Sequence, residues 1–244
     1  MREGENIDPL EKHFMCQLRS RSEWSVLSDE ELERFNAGKV CRKYAKGEEL
    51  FGEGDPCRGI YCVESGLIAI RKMDAEGHSV LLGRLAEAGS TLGYRPLLAG
   101  ELHRGTAEVI RDSFVCFLDK SVVMELLGHN PSLGLKFLKM ASKELGDAEE
   151  EIFQLTTLDL RTRLSHLLLV LIDRYGNTTA DGAAFLELPL SRPDMAALVG
   201  ARPESVSRVI HKLEEDGVAL FSGRKVNIPQ LDRLHMELEH EHHI

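Results

Sequence analysis

The 244-residue sequence predicts an α+β fold, and three observations carry that prediction. Short apolar runs broken by glycine fill residues 39–120. An apolar seven-residue repeat begins after Pro131. Near the end, two short segments of helical period meet at a glycine and are followed by two short β-runs around Gly223. The first signal implies strands closing into a small barrel or sandwich. The second implies a long helix with one narrow seam. The third implies a helix-turn-helix with a wing.

Residues 1–38 form a lead-in. In "LSDEELERF" Ser28 is placed to cap a helix, with Glu31 three residues on as in a capping box, and Leu32 and Phe35 give that helix an apolar side. Residues 39–128 form a β-roll. Its runs include "ELFGEGDPCRG", "IYCVESGLIAIRK" and "VIRDSFVCFLD", and a hairpin is expected around Ala75–His78. Residues 129–158 form a dimerisation helix: Leu138, Leu145 and Ile152 recur every seven residues, and Ala141, Ala148 and Leu155 lie three after each. One seam of this kind calls for a partner helix, and a second copy across a two-fold axis supplies it. Gly146 interrupts the seam at a cost of roughly 1 kcal/mol against alanine. Residues 159–234 form the winged module, opened by the apolar helix "RTRLSHLLLVLIDRYG" and the loop "NTTADGAAF". Residues 235–244 are a flexible tail; His235, His240, His242 and His243 there could hold Zn2+ or Ni2+ weakly.

In the winged module Ser191 caps a first helix, with Pro193 near its start and Asp194 at its third position. Gly200 ends it, and Pro203 opens the next. Val206, Val209, Ile210 and Leu213 face inward at helical spacing, so Glu204, Ser207, Arg208 and His211 face out. A short exposed helix of this kind fits the DNA major groove. Arg208 can donate two bonds to guanine, Glu204 can accept from cytosine or hold the Arg208 fork, and Ser207 can reach a base edge or a phosphate. Arg202, Lys212, Arg224 and Lys225 suit phosphates.

The formal charge of −10 argues against indiscriminate coating of nucleic acid. From Ser191 to Ile228, however, six basic residues face five acidic ones. No apolar stretch reaches about 18 residues, and the start is acidic where a signal peptide is basic, so a cytoplasmic protein without membrane contact is expected. No phosphate-binding glycine loop, HExxH or nucleophile elbow is present, and an enzyme is not expected. The five cysteines are an odd number in a chain too long to need staples. They point to reduced thiols, a metal cluster or buried side chains rather than a disulfide framework.

These segments together resemble the cyclic-AMP receptor/fumarate-nitrate regulator family of bacterial transcription factors over nearly the whole chain. "GEELFGEGDPCRGIYCVESGLIAI" is similar to its early barrel strands, "GSTLGYRPLLAG" to its ligand-cassette turn, residues 136–158 to its dimer helix and 188–228 to its winged helix-turn-helix. The resemblance implies a cyclic-nucleotide-binding-like jelly roll, and a homodimer on double-stranded DNA that works with RNA polymerase. A small-molecule, gas or redox effector would control it. Glu204, Ser207 and Arg208 are similar to the reading triplet of the oxygen-sensing branch, which implies a TTGAT-N4-ATCAA-like site. Arg202 stands where the family has Ser or Thr before the recognition helix, which weakens the cap. The alternatives are a cyclic-nucleotide-dependent regulator and a β-roll scaffold that binds no DNA.

The effector is open. The family's cyclic-nucleotide contacts fall on Gly93, Tyr94, Arg104 and Thr106, which lack the ribose carboxylate and the in-register arginine, so cyclic AMP does not fit. Cys116 matches the oxygen-sensing branch's barrel cysteine and Cys16 one of its amino-terminal three; Cys57 and Cys62 would have to complete an iron–sulfur set. His78 or His103 could ligate haem. Cys57, in a turn after Asp55–Pro56, is a candidate for direct thiol oxidation.

Overall fold

The structure, a computed structural model, describes residues 22–74, 76, 79–81 and 85–239. Cys16, His78 and residues 240–244 lie outside them. The chain divides into two compact units, Met1–Lys72 with Leu82–Leu145, and Met73–Leu81 with Gly146–Ile244.

In the first unit a 3-10 turn, Glu23–Val26, leads into α1, Asp29–Gly38. The expected capping box is made: the Glu31 N–H donates to Ser28 Oγ at 3.3 Å, and the Ser28 N–H donates to Glu31 Oε2 at 2.8 Å. Strands follow as β1 (Lys39–Tyr44), β2 (Glu49–Phe51) and β3 (Gly59–Met73), then β4 (Ser79–Leu81), a segment grouped with the second unit, then β5 (Thr91–Leu92), helix α2 (Tyr94–Ala99) and β6 (Thr106–Asp119). The antiparallel order is β1–β6–β3–β4, with β2 on β6 and β5 on β3. β3 and β4 form the expected hairpin; most of its tip lies outside the described residues. The inward alternate residues form two buried clusters. One holds Val63, Ile68, Ala107, Val109 and Val115. The other gathers Trp24, Phe35, Ile60, Tyr94 and Leu118 around Leu133 and Phe137. Helix α3, Lys120–His129, closes the roll.

Helix α4, Pro131–Thr157, is continuous. Leu133 and Phe137 on one side are buried. On another side Leu138, Leu145 and Ile152 are 64%, 62% and 63% exposed, which leaves the expected seam uncovered within one chain. Ala148 is exposed too, while Ala141 is half-buried against the first unit's core. Nothing lies within 4 Å of a Cβ built on Gly146, so packing inside the protomer does not require this glycine.

In the second unit α5, Leu160–Tyr175, is capped by Asp159, whose carboxylate accepts from the Thr162 N–H. The segment expected as a loop instead carries a hairpin, β7 (Gly176–Thr178) and β8 (Ala184–Glu187). These strands join β9 (Leu220–Ser222) and β10 (Lys225–Ile228) in the order β7–β8–β10–β9. Ala184 and Leu186 of β8 point inward while Phe185 and Glu187 are exposed, a period-2 pattern too short to announce itself. Helices α6 (Arg192–Leu198) and α7 (Pro203–Glu215) are the helix-turn-helix. Residues 235–239, expected in a flexible tail, belong to a last helix, α8 (Leu231–Glu239). Arg161 holds it: Nε and Nη2 donate to the two carboxylate oxygens of Glu237 at 2.6 and 2.8 Å, and Nη1 donates to Asp216 Oδ2 at 2.6 Å. A bidentate fork of this kind is among the strongest side-chain pairs.

Candidate nucleic-acid interface and sensory core

The helix-turn-helix is set by local chemistry. The Asp194 N–H donates to Ser191 Oγ, and the Ser191 N–H returns to Asp194 Oδ2 at 2.9 Å. The turn passes through Gly200 at φ +60°, where a Cβ would lie 2.6 Å from Leu155 Cδ2. Glycine is needed there for both the backbone angle and the space. Leu155, expected only in the dimer seam, is therefore also a support of this turn. Helix α7 starts at Pro203 without a side-chain cap from Arg202, as expected. Val206, Ile210 and Leu213 are buried, while Glu204, Ser207, Arg208 and His211 are exposed.

The Arg208 guanidinium donates to Ser205 Oγ at 3.1 Å. The ion pair with Glu204 that the spacing allows is not made among the described residues. His211 leans the other way, toward Glu215 at 3.3 Å. Arg202, Lys212, Arg224 and Lys225 are all exposed. The wing is held at two points: the Phe221 N–H donates to Glu214 Oε1 of α7 at 3.1 Å, and the Leu188 N–H, just after β8, donates to the Arg224 carbonyl at 2.8 Å. Gly223, at φ +61°, turns the two-residue loop that lifts Arg224 and Lys225 into solvent.

Two segments of the chain match family models: residues 41–130 a cyclic nucleotide-binding domain, and residues 162–236 a Crp-like helix-turn-helix domain. The nitrogen fixation regulation protein FixK of Azorhizobium caulinodans is 30% identical over 188 residues, covering 75% of this chain and 73% of that one. This chain belongs to the Crp/Fnr family of transcriptional regulators. An anaerobic regulatory protein of Bacillus subtilis is 28% identical over 222 residues, 90% of this chain and 92% of its own. The solved structure of FixK2 from Bradyrhizobium japonicum superimposes with a TM-score of 0.69 at 29% identity, over 81% of this chain and 96% of that one. Proteins of the Crp/Fnr family bind DNA and are not enzymes. No helix among the described residues is long and apolar enough to cross a membrane.

Within this Crp/Fnr chain the four effector-pocket candidates do not converge on a ligand. Gly93 starts α2 with its backbone against the Gly59 carbonyl; a Cβ there would lie 3.1 Å away. The Tyr94 side chain is buried and stacks on Phe137 at 5.5 Å, and burial, aided by the Glu144 carboxylate, pushes its phenol up. Arg104 lies on the surface, its fork closed on Glu101 at 2.9 and 3.1 Å. Thr106 Oγ1 accepts from the Glu53 N–H at 3.0 Å. Of these four residues the single cation is closed on a surface carboxylate and none supplies an acid for a ribose, so they do not fit a cyclic nucleotide.

The cysteines depart most from expectation. Cys116 is joined to Cys41 by a disulfide; it is neither a metal ligand nor a reduced thiol. The two are 75 residues apart in sequence, and only the β1–β6 register makes them direct neighbours. Nothing in the spacing of the cysteines could have signalled that pair. Cys57 is half-buried, with its Sγ 3.3 Å from the carbonyls of Gly59 and Gly93, and burial pushes its thiol up. It is therefore not the activated thiolate expected of an exposed turn. Cys62 is a buried free thiol. His103 is buried and stacked on Phe51 at 3.7 Å, and burial holds its imidazole toward the neutral form. Among the described residues no group of three or more His, Cys, Asp or Glu side chains is arranged to hold a metal. With Cys116 engaged, the described cysteines do not fit the thiolate set of an iron–sulfur cluster.

Proposed function

We propose that this chain works as a homodimer that reads a TTGAT-N4-ATCAA-like palindrome and regulates transcription by RNA polymerase, under control of an effector or redox event in its β-roll. The observation that carries the reading is the exposed face of α7. Glu204, Ser207 and Arg208 stand there together on solvent, next to a wing carrying Arg224 and Lys225. That arrangement separates base reading from phosphate holding, as DNA readers do. The uncovered seam of α4 supports the dimer. A second copy would cover Leu138, Leu145 and Ile152, and a two-fold axis would match a palindrome.

A gel shift with TTGAT-N4-ATCAA duplex and a scrambled duplex tests the proposal. The palindrome should bind in preference to the scrambled duplex. Arg208→Ala should weaken binding by about 1–3 kcal/mol and flatten the preference at the guanine. Equal affinity for both duplexes would refute the assignment.

A further inference from the structure

Three cysteines stand side by side across the first unit's sheet. Cys41 on β1 is directly opposite Cys116 on β6, and Cys116 is directly opposite Cys62 on β3. Residues opposed in antiparallel strands point to the same face, with Cβ atoms about 4.5–5.5 Å apart. All three belong to one cluster, Cys62 and Cys116 buried within it and Cys41 at its margin. Cys41–Cys116 is a disulfide and Cys62 a free thiol, so Cys116 has a sulfur neighbour on either side.

We propose that this row is a three-thiol redox site, in which a hydroperoxide oxidises Cys41 and Cys116 to a disulfide and Cys62 then takes over the bond to Cys116 by exchange. The inference deepens the reading of the β-roll as a redox-responsive sensor and rests on it. In the first step the Cys41 thiolate, on the half-buried edge strand, attacks the distal oxygen of the hydroperoxide. Cys41 becomes a sulfenic acid, and the alkoxide (hydroxide, if the oxidant is hydrogen peroxide) leaves and is protonated. The Cys116 sulfur then attacks the sulfenic sulfur, its proton leaves with the hydroxyl as water, and the S–S bond forms. Two thiols give up two electrons, and the peroxide O–O bond takes them.

The second step needs no oxidant. The Cys62 sulfur attacks Cys116 Sγ, the bond to Cys41 breaks, and Cys41 leaves as a thiolate that takes up the proton Cys62 has lost. A polar neighbour stands at the Cys62 sulfur. Thr91 Oγ1 lies 4.0 Å from Cys62 Sγ, and the Thr91 hydroxyl donates to the Glu23 carboxylate. Burial, with the Glu23 and Glu64 carboxylates facing it, pushes the Cys62 thiol up to about 12. Exchange at neutral pH is therefore slow, and the bond the structure holds is the one to Cys41. The same cluster includes Leu133 and Phe137 of α4, so moving the bond from the edge strand to β3 repacks the side chains on which that helix sits.

The test uses the full chain, reduced with a dithiol, treated with hydrogen peroxide, blocked with N-ethylmaleimide and mapped by peptide mass spectrometry without reduction. Wild type should give the Cys41–Cys116 link. Cys41→Ser lacks the thiolate that meets the peroxide, so it is oxidised with diamide instead and should give Cys62–Cys116; Cys62→Ser under peroxide should give only Cys41–Cys116. Cys41→Ser with native circular dichroism but both remaining sulfurs alkylated would overturn the proposal. If Cys41→Ser does not fold, oxidised wild type held in mildly alkaline buffer decides. A growing Cys62–Cys116 peptide with Cys41 newly alkylated supports the row, and an unchanged map overturns it. The mapping involves no DNA, so a protein that ignored DNA in every state would sink the regulator reading and leave the row standing.

Discussion

Arg208 is prepared for its task by a neighbour that does not compete for its charge. A serine hydroxyl steadies one guanidinium nitrogen, which leaves the rest of the fork free for two acceptors on a base. Replacing Ser205 by alanine should therefore reduce discrimination at the guanine less than Arg208→Ala does; competition gel shifts would rank the two. A different residue-scale effect belongs to Glu23. Burial raises its carboxyl pKa above the ordinary value, against the opposing pull of the Thr91 hydroxyl bond. A carboxyl with a raised folded pKa favours the fold while protonated and loses that contribution as pH rises from about 4.3 through the folded value. Glu23→Gln keeps the acceptor for Thr91, so it should raise the melting temperature at pH 7, with the gain vanishing near pH 4. Thermal melts across that range check this, and a gain that did not depend on pH would contradict it. At this scale the outward polar side chains of α7 were legible from helical period alone. The Cys41–Cys116 pair was not, because register between strands far apart in sequence leaves no local trace.

Among the elements, α4 poses the sharpest question, since it keeps a glycine in mid-helix with open space where a side chain would go. Gly146→Ala should stabilise the isolated helix by about 1 kcal/mol. If melting shows that gain while the shift in DNA affinity between oxidised and reduced protein shrinks, Gly146 is kept for pliability rather than packing. The reverse substitution effect is expected at the helix-turn-helix corner. Gly200→Ala places a non-glycine residue at positive φ and drives its Cβ into Leu155. It should lower stability by about 1–3 kcal/mol, read from denaturant midpoints. The capped helices were legible because caps, periods and punctuating residues lie within a few positions of one another: Ser28 with Glu31, Ser191 with Asp194, Pro203 after Gly200. The β7–β8 hairpin was not legible, because "GNT" carries no alternation and four residues of β8 are too few to display one. The reach of α8 past residue 234 was hidden likewise, since its anchor, Arg161, lies far upstream.

For the whole molecule, a net charge of −10 must coexist with a DNA-facing module. Long-range repulsion then makes the few exposed cations of that module matter more, and salt dependence is the measurement that isolates them. Removing Arg224 and Lys225 together should reduce the slope of log affinity against log salt by roughly 2, about one for each phosphate contact, with the ratio of palindrome to scrambled DNA unchanged. Glutamate at both Leu145 and Ile152 should give monomers in sedimentation and abolish binding to the palindrome, since either half alone offers one reading helix. The Arg161 fork has a consequence for how the chain tolerates being shortened. Ending the protein before Glu237 would strip a partly enclosed guanidinium of two of its three acidic contacts at the root of α5. Such a truncation would therefore be felt as lost cooperativity throughout the reading head, far from the residues removed.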